Sequence, residues 1–196
     1  MIYGDSLVVL SYHAQDYDTF SNPVSKARAR LYNPGIEPSC IFDGGSPVYI
    51  QNPDSFRVRY QDYILGARAQ TTSLKMEFDT IKTELDSTQI TIGVNVLPTE
   101  SLADPANLRL FVVIYEKIVP YLSSFPPFDT LHAFFVVRKF LPDTLGLDLT
   151  FLNFPNSFDT VFSTQIENWD LAQIGIASFV QDIQTKKVLQ AVKKEF

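Results

Sequence analysis

Asn33-Pro34-Gly35-Ile36-Glu37-Pro38-Ser39-Cys40-Ile41-Phe42-Asp43-Gly44-Gly45 is the stretch on which the reading of the fold turns. Pro34 cannot extend a helical hydrogen-bond ladder and Gly35 admits a positive φ, so a helix ends here. Ser39 to Asp43 then reads as a strand, Gly44-Gly45 as a turn, and Val48 to Ile50 as the partner strand of a hairpin. Cys40 is the only cysteine of the 196 residues. A dithiol redox centre needs a low-pKa thiolate and a second, resolving cysteine, and one sulfur inside a strand supplies neither.

Upstream, Leu7 to Tyr12 (Leu-Val-Val-Leu-Ser-Tyr) is a near-continuous apolar run, the pattern of a strand covered on both faces. Asn22-Pro23 opens a helix, the asparagine capping free amides and the proline fitting the first helical position. Val24, Ala27 and Leu31 fall on one stripe of it. Downstream, Asn52-Pro53-Asp54 starts a second helix, with Phe56, Tyr60, Tyr63, Ile64 and Ala67 at amphipathic spacing. The predicted order over residues 7 to 70 is strand, helix, strand, strand, helix.

From Leu74 onward a period of two takes over. Ile90, Ile92, Val94 and Val96 alternate with Gln89, Thr91, Gly93 and Asn95, a half-buried strand. Further strands are predicted at Leu74 to Phe78, Leu108 to Ile118, Leu131 to Phe140, Leu145 to Phe151 and Phe158 to Ile166. A last hairpin, Leu171 to Asp182 with Lys186 to Val192, turns at Ile183-Gln184-Thr185. This succession suits an Ig-like antiparallel sandwich in architecture, although the Ig-type cysteine pair is missing. The tripeptide Phe-Asp-Thr at 78–80, 128–130 and 158–160 is too unevenly spaced to be a structural repeat.

A net charge of −6 and a pI near 4.8 argue against a nucleic-acid partner, which calls for a basic face. Lys186-Lys187 and Lys193-Lys194 form the only basic cluster and read as solvated. No membrane span is predicted, because runs such as Phe111 to Tyr115 fall far short of the ~20 apolar residues a spanning helix needs. Met1 to Ser6 lacks the basic n-region and cleavage site of a signal peptide.

Candidate chemistry is thin. Cys40 reads as a small buried hydrophobe. His13, Asp16 and Asp18 are ligand types, but their spacing matches no standard metal pattern, and solvated loop residues are the simpler reading. His132 and Arg138 share a strand face by parity, with Glu116 on the preceding strand placed to pair with the arginine. There is no nucleophile elbow, phosphate-cradling glycine loop or zinc spacing. No cofactor and no metal is therefore expected.

Three blocks together carry a family resemblance. They are Val8-Val9-Leu10-Ser11-Tyr12-His13 with Asn22-Pro23 and the Arg-rich helix to Tyr32; then Ile36 to Gly44; then Asn168-Trp169 with Ala177 to Asp182 and Thr185 to Ala191. The chain resembles the outer-membrane-protein-related cell-envelope and secreted proteins that join a thioredoxin-like domain to a C-terminal β-sandwich. The resemblance implies an α+β class: a partial thioredoxin-like α/β domain over residues 1–72, then an Ig-like antiparallel β-sandwich over 73–196. It makes Pro38 a cis-proline, and Glu37 with Pro38 a loop that contacts an extended peptide.

Family members usually begin with a strand and a Cys-x-x-Cys helix ahead of the segment that opens here. The expectation is thus of an N-terminally incomplete domain with a vacancy in its sheet; strands that re-pair, or a strand donated by a partner chain, are the other ways to close it. The function implied is a non-catalytic extracytoplasmic interaction module with a protein or peptide partner and an open oligomeric state. The alternative is a thiol–disulfide oxidoreductase whose Cys-x-x-Cys lies upstream.

Overall fold

A computed structural model describes the chain except residues 1–3, 50–52, 84–88, 124–125 and 128; of residues 5 and 53–56 only the backbone is described. The expectations that fall on Ile50, Asn52, the Phe56 side chain and Phe128 lie outside the described residues. Two α-helices occur among the described residues, α1 (Pro23–Tyr32) and α2 (Pro53–Arg68). Neither is long and apolar enough to cross a membrane. The short strands β1 (Ser39–Cys40) and β2 (Val48–Tyr49) form a hairpin of their own. All longer strands follow: β3 (Leu74–Thr83), β4 (Gln89–Pro98), β5 (Leu108–Leu122), β6 (Thr130–Leu141), the short β7 (Leu147–Asp148), β8 (Phe158–Gln165), β9 (Ile174–Asp182) and β10 (Val188–Glu195).

The expected α+β class, with a partial thioredoxin-like domain at its head, is corrected. The protein is mostly antiparallel β, and the described residues among the first 72 build no α/β sheet. Leu7 to Tyr12 is not a strand: it makes one isolated parallel bridge, Ser11 to Val136, held by Ser11 N–H to the Phe135 carbonyl (2.8 Å) and Val137 N–H to the Ser11 carbonyl (3.1 Å). Among the described residues β1 pairs with β2 alone, so no sheet there has the expected vacant central strand. An apolar run shows only that a segment is covered; here packing on another sheet's outer face covers it, not pairing within a sheet.

Two sheets pack face to face. One has the order β10-β9-β5-β6, with β7 also paired to β5; the other has the order β3-β4-β8. Leu74, Ile90, Ile92, Val94 and Val96 of the smaller sheet meet Leu110, Val112, Ile114, Ile174, Ile176 and Val180 of the larger in one buried cluster. The outer face of the larger sheet is equally apolar: Phe111, Val113, Tyr115, Val137, Phe140, Ala177 and Phe179 form a second cluster. Val8, Leu10, Tyr12 and Val24 lie on it. β5 and β9 are thus buried on both faces, unusual for antiparallel strands, because the N-terminal segment and α1 form a third layer.

α1 is capped as its sequence dictates. Asn22 Oδ1 accepts the Ser25 N–H at 2.9 Å, while its Nδ2 donates to the Val137 carbonyl at 2.8 Å and ties the helix start to β6. The residues of α1 that go deepest are Ser25 and Arg28, not the Ala27 and Leu31 of the expected stripe. The Arg28 guanidinium is ringed by Tyr32, Phe111, Phe140 and Phe179 at 5.0–5.5 Å from the ring centres. Its Nη2 donates to the Tyr32 hydroxyl (2.8 Å) and to Gln181 Oε1 (2.9 Å). Among the described residues no carboxylate pairs with it.

The Tyr12 hydroxyl sits beside Arg28, and burial, partly opposed by that cation, pushes its pKa up to about 12. Burial and then the neighbouring Cys40 thiol raise Tyr60 to about 12 as well. Tyr115 is also raised, by burial and then by Glu195, which accepts its hydroxyl at 3.0 Å. In the unfolded chain these phenols ionise near pH ~10. The folded state holds the protons more tightly, so this stabilisation is complete below the unfolded value and disappears as pH rises through the folded ones. Urea midpoints are therefore expected to fall between about pH 10 and about pH 12, with tyrosinate absorbance appearing together with the loss of near-UV CD. Full ionisation of all tyrosines with the fold intact would contradict this.

Candidate functional site

The loop between α1 and β1 is set by short-range chemistry. Asn33 takes a left-handed conformation (φ 43°) at the helix end, and its N–H donates to the Ala29 carbonyl at 2.8 Å. Gly35 follows with φ 74°, which glycine adopts at no steric cost. The Tyr49 hydroxyl of β2 donates to the Pro34 carbonyl, closing the loop on the hairpin. The Glu37–Pro38 peptide bond is cis, the isomer implied by the resemblance, and both residues are exposed.

Beside this loop is a groove of about 420 Å³. Ala14, Gln15 and Asp16 form one wall, Lys26, Ala29 and Arg30 of α1 another, and Asn33 to Gly35 with Glu37 the third. Gln15 Nε2 donates to Glu37 Oε2 at 2.6 Å, which holds the Glu37 carboxylate against the wall. Lys26 Nζ pairs with Asp16 Oδ1 at 2.6 Å. That hydrogen bond, then the charge of Lys26, holds the Asp16 carboxyl below its ordinary value, with Arg30 adding a smaller pull. With two cations and two carboxylates around exposed backbone, the groove suits a polar extended chain better than an apolar molecule.

Other sequence candidates are dispersed. Asp16 turns to Lys26, away from the His13 and Asp18 it was considered with. His13 Nδ1 donates to Asp18 Oδ2 at 2.6 Å and its Nε2 lies 3.2 Å from Ser11 Oγ, while Phe20 stacks edge-on against the ring. Among the described residues no group of three or more His, Cys, Asp or Glu side chains is placed to hold a metal ion. Glu116 and Arg138 do pair: Arg138 Nε donates to Glu116 Oε2 at 2.6 Å, and Glu116 Oε1 accepts the Asp170 N–H at 3.0 Å. His132 is exposed and lies outside that pairing.

Cys40 is half-buried in β1 as a free thiol facing Tyr60 of α2. Phe42 next to it stacks on Tyr63 (4.9 Å between ring centres, 8° between planes) and meets Tyr60 edge-on, so an aromatic contact docks α2 to the hairpin. The resemblance pointed to Glu37 and Pro38 and gave no sign of Gln15, Lys26 and Arg30, which the fold brings near Glu37. One signal was available: Lys26, Ala29, Arg30 and Asn33 recur at i, i+3, i+4 and i+7, the face of α1 that is left open.

No family model matches the chain, and no curated protein does. Among solved structures, HBP35 of Porphyromonas gingivalis aligns over 89% of this chain at 12% identity with a TM-score of 0.59. A domain of the outer membrane lipoprotein Omp28 from the same organism covers 65% of this chain and 90% of its own length at 17% identity, with a TM-score of 0.45. The chain spans 60% of the length of HBP35. At this identity the likeness concerns architecture alone: most of this chain shares the fold of HBP35.

Proposed function

We propose that the chain is an extracytoplasmic cell-envelope protein, a non-catalytic interaction module that holds an extended peptide or protein segment at the Glu37–Pro38 loop. The observation that carries the reading is the groove of about 420 Å³ beside that loop, open to solvent and walled by Arg30, Lys26 and Glu37. An extended segment offers unpaired backbone amides and carbonyls to such a wall, and one acidic side chain in it would meet Arg30. The three-block sequence resemblance supports the envelope placement.

Fluorescence anisotropy with labelled extended peptides of varied charge tests the binding. Saturable micromolar binding is expected for acidic peptides, weakened about tenfold by Arg30→Glu, a change of about 1.4 kcal/mol. Binding indifferent to Arg30→Glu and to Glu37→Lys, or no binding by any peptide, would remove the groove from the account. Insulin reduction above the level of a Cys40→Ser control would overturn the non-catalytic part.

A further inference from the structure

β8 is the outermost strand of the β3-β4-β8 sheet, and its free edge is unusually well formed. Its pairing with β4 runs without a bulge from Gln89↔Gln165 to Val96↔Phe158. The edge carries no lysine, no proline and no inward-pointing charge, the devices that ordinarily blunt an exposed edge. Among the described residues no loop hydrogen bond from elsewhere in the backbone reaches β8.

The alternation of an antiparallel ladder shows which of its groups are open. Thr99 N–H donates to the Ser73 carbonyl at 2.8 Å just beyond the Leu74↔Pro98 pair, so odd-numbered residues of β4 turn their backbone groups toward β3. Even-numbered residues of β4 then face β8, through Ile92↔Phe162 and Val94↔Thr160. The side chains agree: the Thr91–Ser163 and Asn95–Asp159 hydrogen bonds, 3.0 and 2.7 Å, belong to the intervening, closer-set pairs. The N–H and C=O groups of Asp159, Val161, Ser163 and Gln165 therefore point off the edge of the sheet.

We propose that this edge pairs with the β8 edge of a second copy of the chain, antiparallel and two-fold symmetric about Val161. The register is self-complementary. Val161 meets Val161, Asp159 meets Ser163, and no like charges stand opposite each other. About six backbone hydrogen bonds would form, and the two three-stranded sheets would become one of six strands. The occupant is argued from what the edge leaves unfinished. Val161 is 66% exposed on an otherwise polar face, and the core-side residues Phe158 and Phe162 stay half-buried while their β4 neighbours Val96 and Ile92 are fully enclosed. A second β8 covers Val161 with an identical valine and sets threonine methyl groups beside both phenylalanines, since 160 stands opposite 162 and 158 opposite 164 in this register.

Sedimentation velocity over a micromolar concentration series tests the pairing. A reversible dimer is expected, weakened at least about tenfold by Val161→Lys, which brings two ammonium groups together on the two-fold axis. Ser163→Pro removes an outward N–H without touching the β4 ladder and should act in the same direction, with an unchanged far-UV CD spectrum in both variants. In a Cys40→Ser background, Val161→Cys should be joined to a covalent dimer by a short bismaleimide, whereas Val58→Cys, exposed on α2, should not. A monomer at every concentration overturns the proposal, as does a dimer that neither Val161→Lys nor Ser163→Pro weakens.

Discussion

Replacing Arg28 by alanine is expected to cost about 3–5 kcal/mol of folding stability, a large share of what a domain of this size has. A full guanidinium charge sits 3% exposed between α1 and the larger sheet. Aromatic faces and two hydrogen bonds from Nη2 replace part of its lost hydration, and the buried Nε has no hydrogen-bond partner among the described residues. Truncation removes the stem that fills the space among Phe111, Phe140 and Phe179, and leaves Gln181 Oε1 without its arginine donor in a fully buried site. Arg28→Met separates the two parts of the loss. It keeps most of the stem and abolishes the desolvated charge, so it should recover more than half of the deficit. The measurement is urea unfolding followed by Trp169 fluorescence, with near-UV CD for the aromatic box. An alanine variant within about 1 kcal/mol of the parent would show that the charge is not integral to the third layer.

Gly44→Ala should be comparably damaging for a wholly different reason. Gly44 is buried at φ 78°, where an L-residue is strained, and a Cβ there would drive into the Lys186 carbonyl of the β9–β10 turn. Backbone cannot rotate out of the way as a side chain can. The turn carrying Asp43 and Gly44 would have to lift away, breaking the Val188 N–H to Asp43 carbonyl bond of 2.9 Å. A cost of about 3 kcal/mol or more is expected, with fast amide exchange at Val188 and continued protection in β4 and β5. Gly45→Ala supplies the comparison: its Cβ would lie 3.1 Å from the Phe42 carbonyl at an ordinary φ, a misfit of a few tenths of an ångström. Equal losses in the two variants would contradict the collision.

Legibility in the sequence followed the range of the interactions. Asn22-Pro23 and Asn33-Pro34-Gly35 bounded α1 correctly because caps and breakers act within a few residues. The alternation from Gln89 to Val96 marked β4 because one of its faces is more deeply buried than the other. Parity brought Glu116 to Arg138 across β5 and β6. Leu7 to Tyr12 misled, since packing on a sheet's outer face and pairing within a sheet leave the same apolar run. Leu145 to Phe151 shrank to Leu147–Asp148: Leu149 is buried just beyond the strand, while Leu145 and Phe151 at the two ends are exposed. Arg28 was unreadable: an arginine between alanines looks solvated until the rings of β5, β6 and β9, more than seventy residues away, are placed around it. The groove was half legible, its Glu37–Pro38 rim through resemblance and its Asp16–Lys26 wall only through the fold.

The third layer also dictates a timetable. Arg28 finds its acceptor at Gln181, 153 residues further along, and Asp43 finds its donor at Val188. A nascent chain leaving the ribosome would therefore hold this layer only by its contacts with β6, through Ser11 and Asn22, until β9 and the turn after it had emerged. Until then Val8, Leu10 and Tyr12 have only the β5 and β6 part of their surface to rest on. Sandwich and covering alike are completed only once β9 and β10 have been made.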